Sequence, residues 1–227
     1  MRRCFAAVAF TAALIAASGA MAQSPPSAAD IAGYTGLLAA AQRGDAAAIK
    51  RAENPQLERR DSNGRTPLLV AAHRGDRAFV EALAAAGADM RAKDRQHYDI
   101  ITIAAVRDDV EMVKLAIKLG ADARAITSPY DGTALIAAAH LGHADVVQAL
   151  IAGGAPLDHV NNLNWTAAIE AVVLGDGGPR HQATLKALIA AGANLNIGDR
   201  EGVTPLEHAK RRGYGAMVDM LEKARKP

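Results

Sequence analysis

"GRTPLLVAAHRGDRAFVEALAAAGAD", residues 64–89, decides how the chain is read. Apolar residues recur at helical spacing on both sides of Gly75, which predicts two short helices with a break between them. Thr66-Pro67 opens the first. Threonine at a helix start accepts from a free backbone N–H, and proline is tolerated in the first turn because its missing N–H would be unpaired there anyway. Gly87 closes the second, since glycine takes the left-handed conformation without a Cβ penalty and lets the chain reverse.

The same unit recurs along the chain. With the residue that opens each first helix as anchor, the series is Thr35, Thr66, Asp99, Thr133, Thr166 and Thr204, spaced by 31, 33, 34, 33 and 38 residues. Alanine stands five residues after every anchor: Ala40, Ala71, Ala104, Ala138, Ala171 and Ala209. Nine residues after it stands Gly44, Gly75, Asp108, Gly142, Gly175 or Gly213. The second helices run into "GAD" at 87–89 and 120–122, "GAP" at 154–156 and "GAN" at 192–194. Aromatics are only 4% of residues, so the core is expected to be built from small side chains at close spacing.

These residues, with "GTALIAAAHLGHADVVQALIAGGAP" at 132–156 and "GVTPLEHAKRRGYGAMVDMLEKA" at 202–224, resemble the ankyrin repeat family over about residues 34–224. The resemblance implies an all-α repeat fold, a solenoid of about six helix-turn-helix units joined by β-turns, with the first and last units acting as caps. The third unit departs most from the pattern, with Asp99-Ile100 in place of Thr-Pro and Asp108 in place of the turn glycine. The first has "ENPQLERRD" where the others carry a GAD-type segment.

Ahead of the repeats, residues 1–22 read as a secretory signal peptide. Arg2 and Arg3 precede an apolar run from Phe5 to about Ala17, and Ala20-Met21-Ala22 suits cleavage before Gln23. That run is too short to span a bilayer as a helix. Export to the periplasm is therefore expected. Residues 23–33 read as a flexible leader, and 34–227 as the repeat domain. The sole cysteine, Cys4, would leave with the signal, and so would two of the 26 basic residues, leaving 24 against 24 acidic ones. Neither nucleic acid nor an anionic membrane is then an expected partner.

Catalytic patterns are weak. His140 and His143 in "HLGH" have no third ligand nearby in sequence, and a zinc site needs three or four. "GDGG" at 175–178 lacks the preceding strand and the lysine of a phosphate loop. No metal, cofactor or catalytic residue is expected.

A protein-binding surface is the remaining reading. In ankyrin-like stacks the turn tips and first-helix ends form a concave face, and the resemblance places there Arg65, Arg95, Tyr98, Tyr130, Trp165 and Arg200 at the tips. At the helix ends it places His73, Arg74, Arg107, His140, Leu141, Val173, Leu174 and Arg211. Trp165 is the single tryptophan, and Trp, Tyr and Arg are the types enriched among interface hot spots. Val173-Leu174 stands where other units carry His73-Arg74 and Arg211-Arg212, which suggests an apolar patch rimmed by arginine. The partner is expected to be another protein, bound by a monomer. Exported bacterial ankyrin proteins that this chain resembles include some associated with catalase function and peroxide resistance. An alternative reading is a ligand-binding or enzymatic accessory with a site beside residues 176–182. "GDGGPRHQ" at 175–182 adds five residues between the two helices of the fifth unit, and an expanded loop shaping the binding surface is expected there.

Overall fold

The computed structural model describes residues 24–51 and 54–224, so the signal-peptide reading of residues 1–22 lies outside the described residues. Helix pairs follow one another along the chain. After α1 (Ala28–Ala32) come α2 (Gly36–Arg43), a 3-10 helix (Ala46–Arg51) and the short α3 (Asn54–Leu57). The following pairs are α4 (Pro67–Arg74) with α5 (Arg77–Ala85), α6 (Ile100–Val106) with α7 (Val110–Lys118), and α8 (Ala134–Leu141) with α9 (Ala144–Ala152). The last are α10 (Ala167–Val173) with α11 (Pro179–Ala190), and α12 (Pro205–Arg212) with α13 (Gly215–Ala224). No strand forms among the described residues; one isolated antiparallel bridge joins Ile126 to Thr133. None of the described helices is long and apolar enough to cross a membrane.

From α4 on, the first helix of each pair starts where its sequence provides a side-chain cap. Thr66, Asp99, Thr133, Thr166 and Thr204 accept from the backbone N–H three residues on, satisfying one of the donors a helix start leaves free. Asp99 does what threonine does elsewhere, accepting from Thr102 N and Thr102 Oγ1, both at 2.8 Å. Asp108 likewise replaces the turn glycine by taking φ 58°, a left-handed conformation that aspartate tolerates better than most side chains. The third unit thus keeps the repeat geometry with different residues.

First helices stack on first helices, α2–α4–α6–α8–α10–α12, and α7, α9, α11 and α13 stack in turn behind them. The alanines five residues after each anchor sit in these seams, all 0–1% exposed. Without a Cγ they let helices approach closely, and the gaps between seams are filled by Phe79, Leu68, Leu83, Ile101, Met112, Leu135 and Leu150. One continuous core results.

Two expectations are corrected here. The leader is not a flexible tether: Ser27 and Asp30 form a capping box that starts α1, and Asp30 is held by Ser62 Oγ, Asn63 Nδ2 and Arg65 across the first turn of the repeats. The residues added at 175–182 are not all loop either. α11 begins at Pro179 and runs 12 residues, against nine in α5, α7 and α9, so Pro179–His181 extend the helix by nearly a turn.

Candidate functional site

The finger-like turns are built by one repeated device. Five residues before each anchor from Thr66 on stands Asp61, Asp94, Ser128, Asn161 or Asp199, whose side-chain oxygen accepts from two backbone N–H groups, two and four residues on. That short polar side chain closes the turn upon itself. Neighbouring fingers are then tied together: Arg95 N donates to Asn63 O and Asn162 N to Tyr130 O, both at 2.9 Å, and Arg200 Nη2 donates to Asn162 O at 3.2 Å.

Against this frame the candidate binding residues divide. Arg65 is 4% exposed, paired with Asp61 at 3.1 Å and Asp30 at 3.4 Å, and donates to Ser24 O. Its charge is spent internally, so its place on the binding face is corrected. Tyr98, His73, His140 and Val173 are buried as well, 3–8% exposed, because the residue before each anchor and the inner helix face close over one another. Burial, then the nearby Arg65 and Arg107 guanidinium groups, push the His73 imidazole down to about 4. Arg74 is exposed, but its guanidinium donates to Gln42 O at the end of α2. Arg107 and Arg211 are exposed, as are Arg95 and Arg200, while Tyr130, Leu141, Trp165 and Leu174 are half-buried.

What stays open on the fingers is an apolar group missing from the sequence-based set. Ile126, Val160 and Leu163 are 46%, 39% and 37% exposed, on the two bonded fingers that carry Tyr130 and Trp165. The sequence held a clue to it. Leu163 stands three residues before its anchor, where other units have Asn63, Gln96 or Glu201, and Val160 stands six before, where others have Arg60 or Lys93.

Behind Trp165 lies a second unexpected group. Glu170 is 1% exposed; its Oε2 lies 3.2 Å from His140 Nδ1, and its Oε1 accepts from Asn161 Nδ2 at 3.1 Å. Both carboxylate oxygens are therefore engaged, which is what a buried acid requires. Glu170 stands four residues after its anchor, where Val70, Ile103 and Ala137 are apolar, so this pairing too had a trace in the sequence.

The 175–182 insertion lies at the far end of α10 from Trp165, about 12 Å away along a helix that rises ~1.5 Å per residue. It does not border the fingers. Arg180 pairs with Asp108 at 3.0 Å, and His181 is bound to Asp176 and to the His140 carbonyl, each at 3.0 Å. Both side chains are spent on neighbouring units. With Gly142, His143 and Ala183, Arg180 edges only a shallow hollow.

Residues 101–197 match the family described as ankyrin repeats (3 copies), and residues 63–95 match the single ankyrin repeat. The chain is 32% identical over 187 residues to the protein YahD of Escherichia coli (strain K12), covering 81% of this chain and 92% of that one. An ankyrin repeat domain from Acinetobacter baumannii AYE superposes with a TM-score of 0.77 at 38% identity, covering 83% of this chain and 96% of that one. A second ankyrin repeat protein of known structure gives 0.75 at 30% identity, covering 84% and 98%.

Proposed function

Because the chain belongs to the ankyrin repeat family, whose repeats generally bind other proteins, we propose that it is a non-catalytic module that docks a partner protein on the fingers of its fourth and fifth units. The observation that carries this reading is the apolar group Ile126, Val160 and Leu163 beside Tyr130 and Trp165, exposed on two hydrogen-bonded fingers. Large apolar side chains held rigidly in water gain most from being covered, and aromatic anchors commonly dominate such interfaces. Arg95 and Arg200 on the flanking fingers supply a polar rim.

Affinity capture tests this face: wild-type protein should retain the partner, and the double variant Trp165→Ala, Leu163→Asp should lose it with unchanged circular dichroism. Equal capture by both proteins would discard this face. The reading extends to a protein exported to the periplasm and acting there beside a stress-defence enzyme such as a catalase. The charged and apolar pattern of residues 1–22 supports export. Fractionation of cells carrying a C-terminal tag tests it: a periplasmic product beginning at Gln23 is expected, and full-length protein in the cytoplasm would reject export. Peroxide sensitivity of a deletion strain, restored by wild type and not by the double variant, tests the enzyme link.

A further inference from the structure

His181 is held in a pairing that depends on its proton count. Its Nδ1 lies 3.0 Å from Asp176 Oδ1 and its Nε2 3.0 Å from the His140 carbonyl oxygen. An ionised carboxylate and a carbonyl can only accept. A neutral imidazole has one N–H, so both bonds exist together only in the imidazolium. We propose that His181 is a proton-operated clasp, which pins the 175–182 insertion to the end of α8 when both ring nitrogens carry protons and frees Asp176 with its loop when one proton is lost to solvent.

The environment decides which bond breaks. The His181 side chain is 13% exposed and Asp176 is 79% exposed, so the remaining proton stays on Nε2, facing the more sheltered His140 carbonyl. Nδ1 then presents a lone pair to a carboxylate, and that side opens. Asp176 is held below the usual carboxylate range by the Gly178 N–H and then by His181, which keeps it a pure acceptor. Other charged and titratable groups face the site from every side. Arg180 on α11 pairs with Asp108 from the turn after α6. Asp108 lies 3.8 Å from His143, which with Asp145 borders the same hollow. The His140 ring is turned away to Glu170. From the last unit, Tyr214 OH donates to Gly175 O at 3.0 Å, and its ring packs so closely on Gly177 that no Cβ would fit. Release of the loop is therefore felt by the sixth unit as well as the fourth.

Amide hydrogen exchange of the intact chain, with the intrinsic pH dependence of exchange removed, tests the clasp. Protection of residues 174–182 should fall about tenfold between about pH 5 and about pH 8.5, while the amides of α9 keep theirs. In His181→Gln the step should vanish, and in Asp176→Asn it should shrink. Equal wild-type protection at both pH values overturns the proposal, and so does an undiminished step in His181→Gln, which would assign it to His143 or another group. The ring nitrogens of wild-type His181 provide a readout independent of variant folding. Both should be protonated at the acid end and Nε2 alone at the alkaline end; a ring protonated only at Nδ1 also overturns the clasp.

Discussion

Two residues before each anchor from Thr66 on, the finger backbone passes through the left-handed region, at Gly64, His97, Asp131, Asn164 and Gly202, with φ between 53° and 78°. What stands there sets a local cost. A side chain in this region is disfavoured by roughly 1–2 kcal/mol, which aspartate and asparagine partly recover. Asp131→Gly should therefore stabilise the fold by up to about 1 kcal/mol, after the added freedom of glycine in the unfolded chain is set against the relief. Gly64→Ala should do the opposite by about 1–2 kcal/mol, since its Cβ would also stand 3.0 Å from the backbone nitrogen of Arg95. Urea midpoints measure both. His73 acts by charge. Its folded value of about 4 lies below the ordinary 6.5, so between these pH values the unfolded chain binds the extra proton. Stability contributed by the neutral ring is complete above pH 6.5 and is lost as the pH falls toward 4, by on the order of 3 kcal/mol at most. His73→Leu should remove that part of the acid sensitivity, seen as a smaller difference between midpoints at about pH 7 and about pH 4.5. An equal difference in the variant would mean that the ring does not titrate there.

Between elements, the insertion repeats a task that other residues perform elsewhere. The carbonyls left free at the end of each first helix need donors, and several are met from the next unit: Gln42 O by Arg74, Ala105 O by His143, His140 O by His181 and Gly175 O by Tyr214. The fourth and fifth units carry Leu141 and Leu174 where the second and third carry Arg74 and Arg107, and the extended α11 brings His181 to the uncovered carbonyl. Tyr214→Phe, which removes one such donor and leaves the ring in place, should cost about 1 kcal/mol and raise exchange at the end of α10. No change in either would make the bond incidental. The helix pairs were legible because anchors, seam alanines and caps are local and recur. The cross-unit bonds were not, because each joins residues 32–41 positions apart and the donor varies among arginine, histidine and tyrosine. Arg65 shows the same limit: at a turn it reads as an exposed cation, and only the docking of Asp30 from the leader reveals it as a buried one.

Across the whole molecule, packing runs from neighbour to neighbour, so stability is approximately a sum of unit terms and seam terms and perturbations stay local unless they fall on a central seam. The leader is the terminal case. Asp30 stands five residues before the first anchor, the place held by the turn-closing Asp61 and Asp94, and α1 ends the finger row by docking on residues 62–65. Removing residues 24–33 should expose the Arg65 charge and raise exchange in α2 and α4, with α10 to α13 protected as before; loss throughout the chain would contradict a neighbour-only stack. Ala138 is the central case. It is 0% exposed in α8, which packs on α6, α9 and α10 at once, and the added methylenes of Ala138→Leu have no void to enter. Overpacking there should cost about 1–3 kcal/mol. The loss falls on the seams that couple the two halves of the stack, so the variant should show a lower midpoint and a broader unfolding transition than wild type, as the halves begin to melt separately. A lower midpoint with an unbroadened transition would mean that coupling across the remaining helices still holds the stack as one unit, and an unchanged midpoint would mean that α8 can shift to make room.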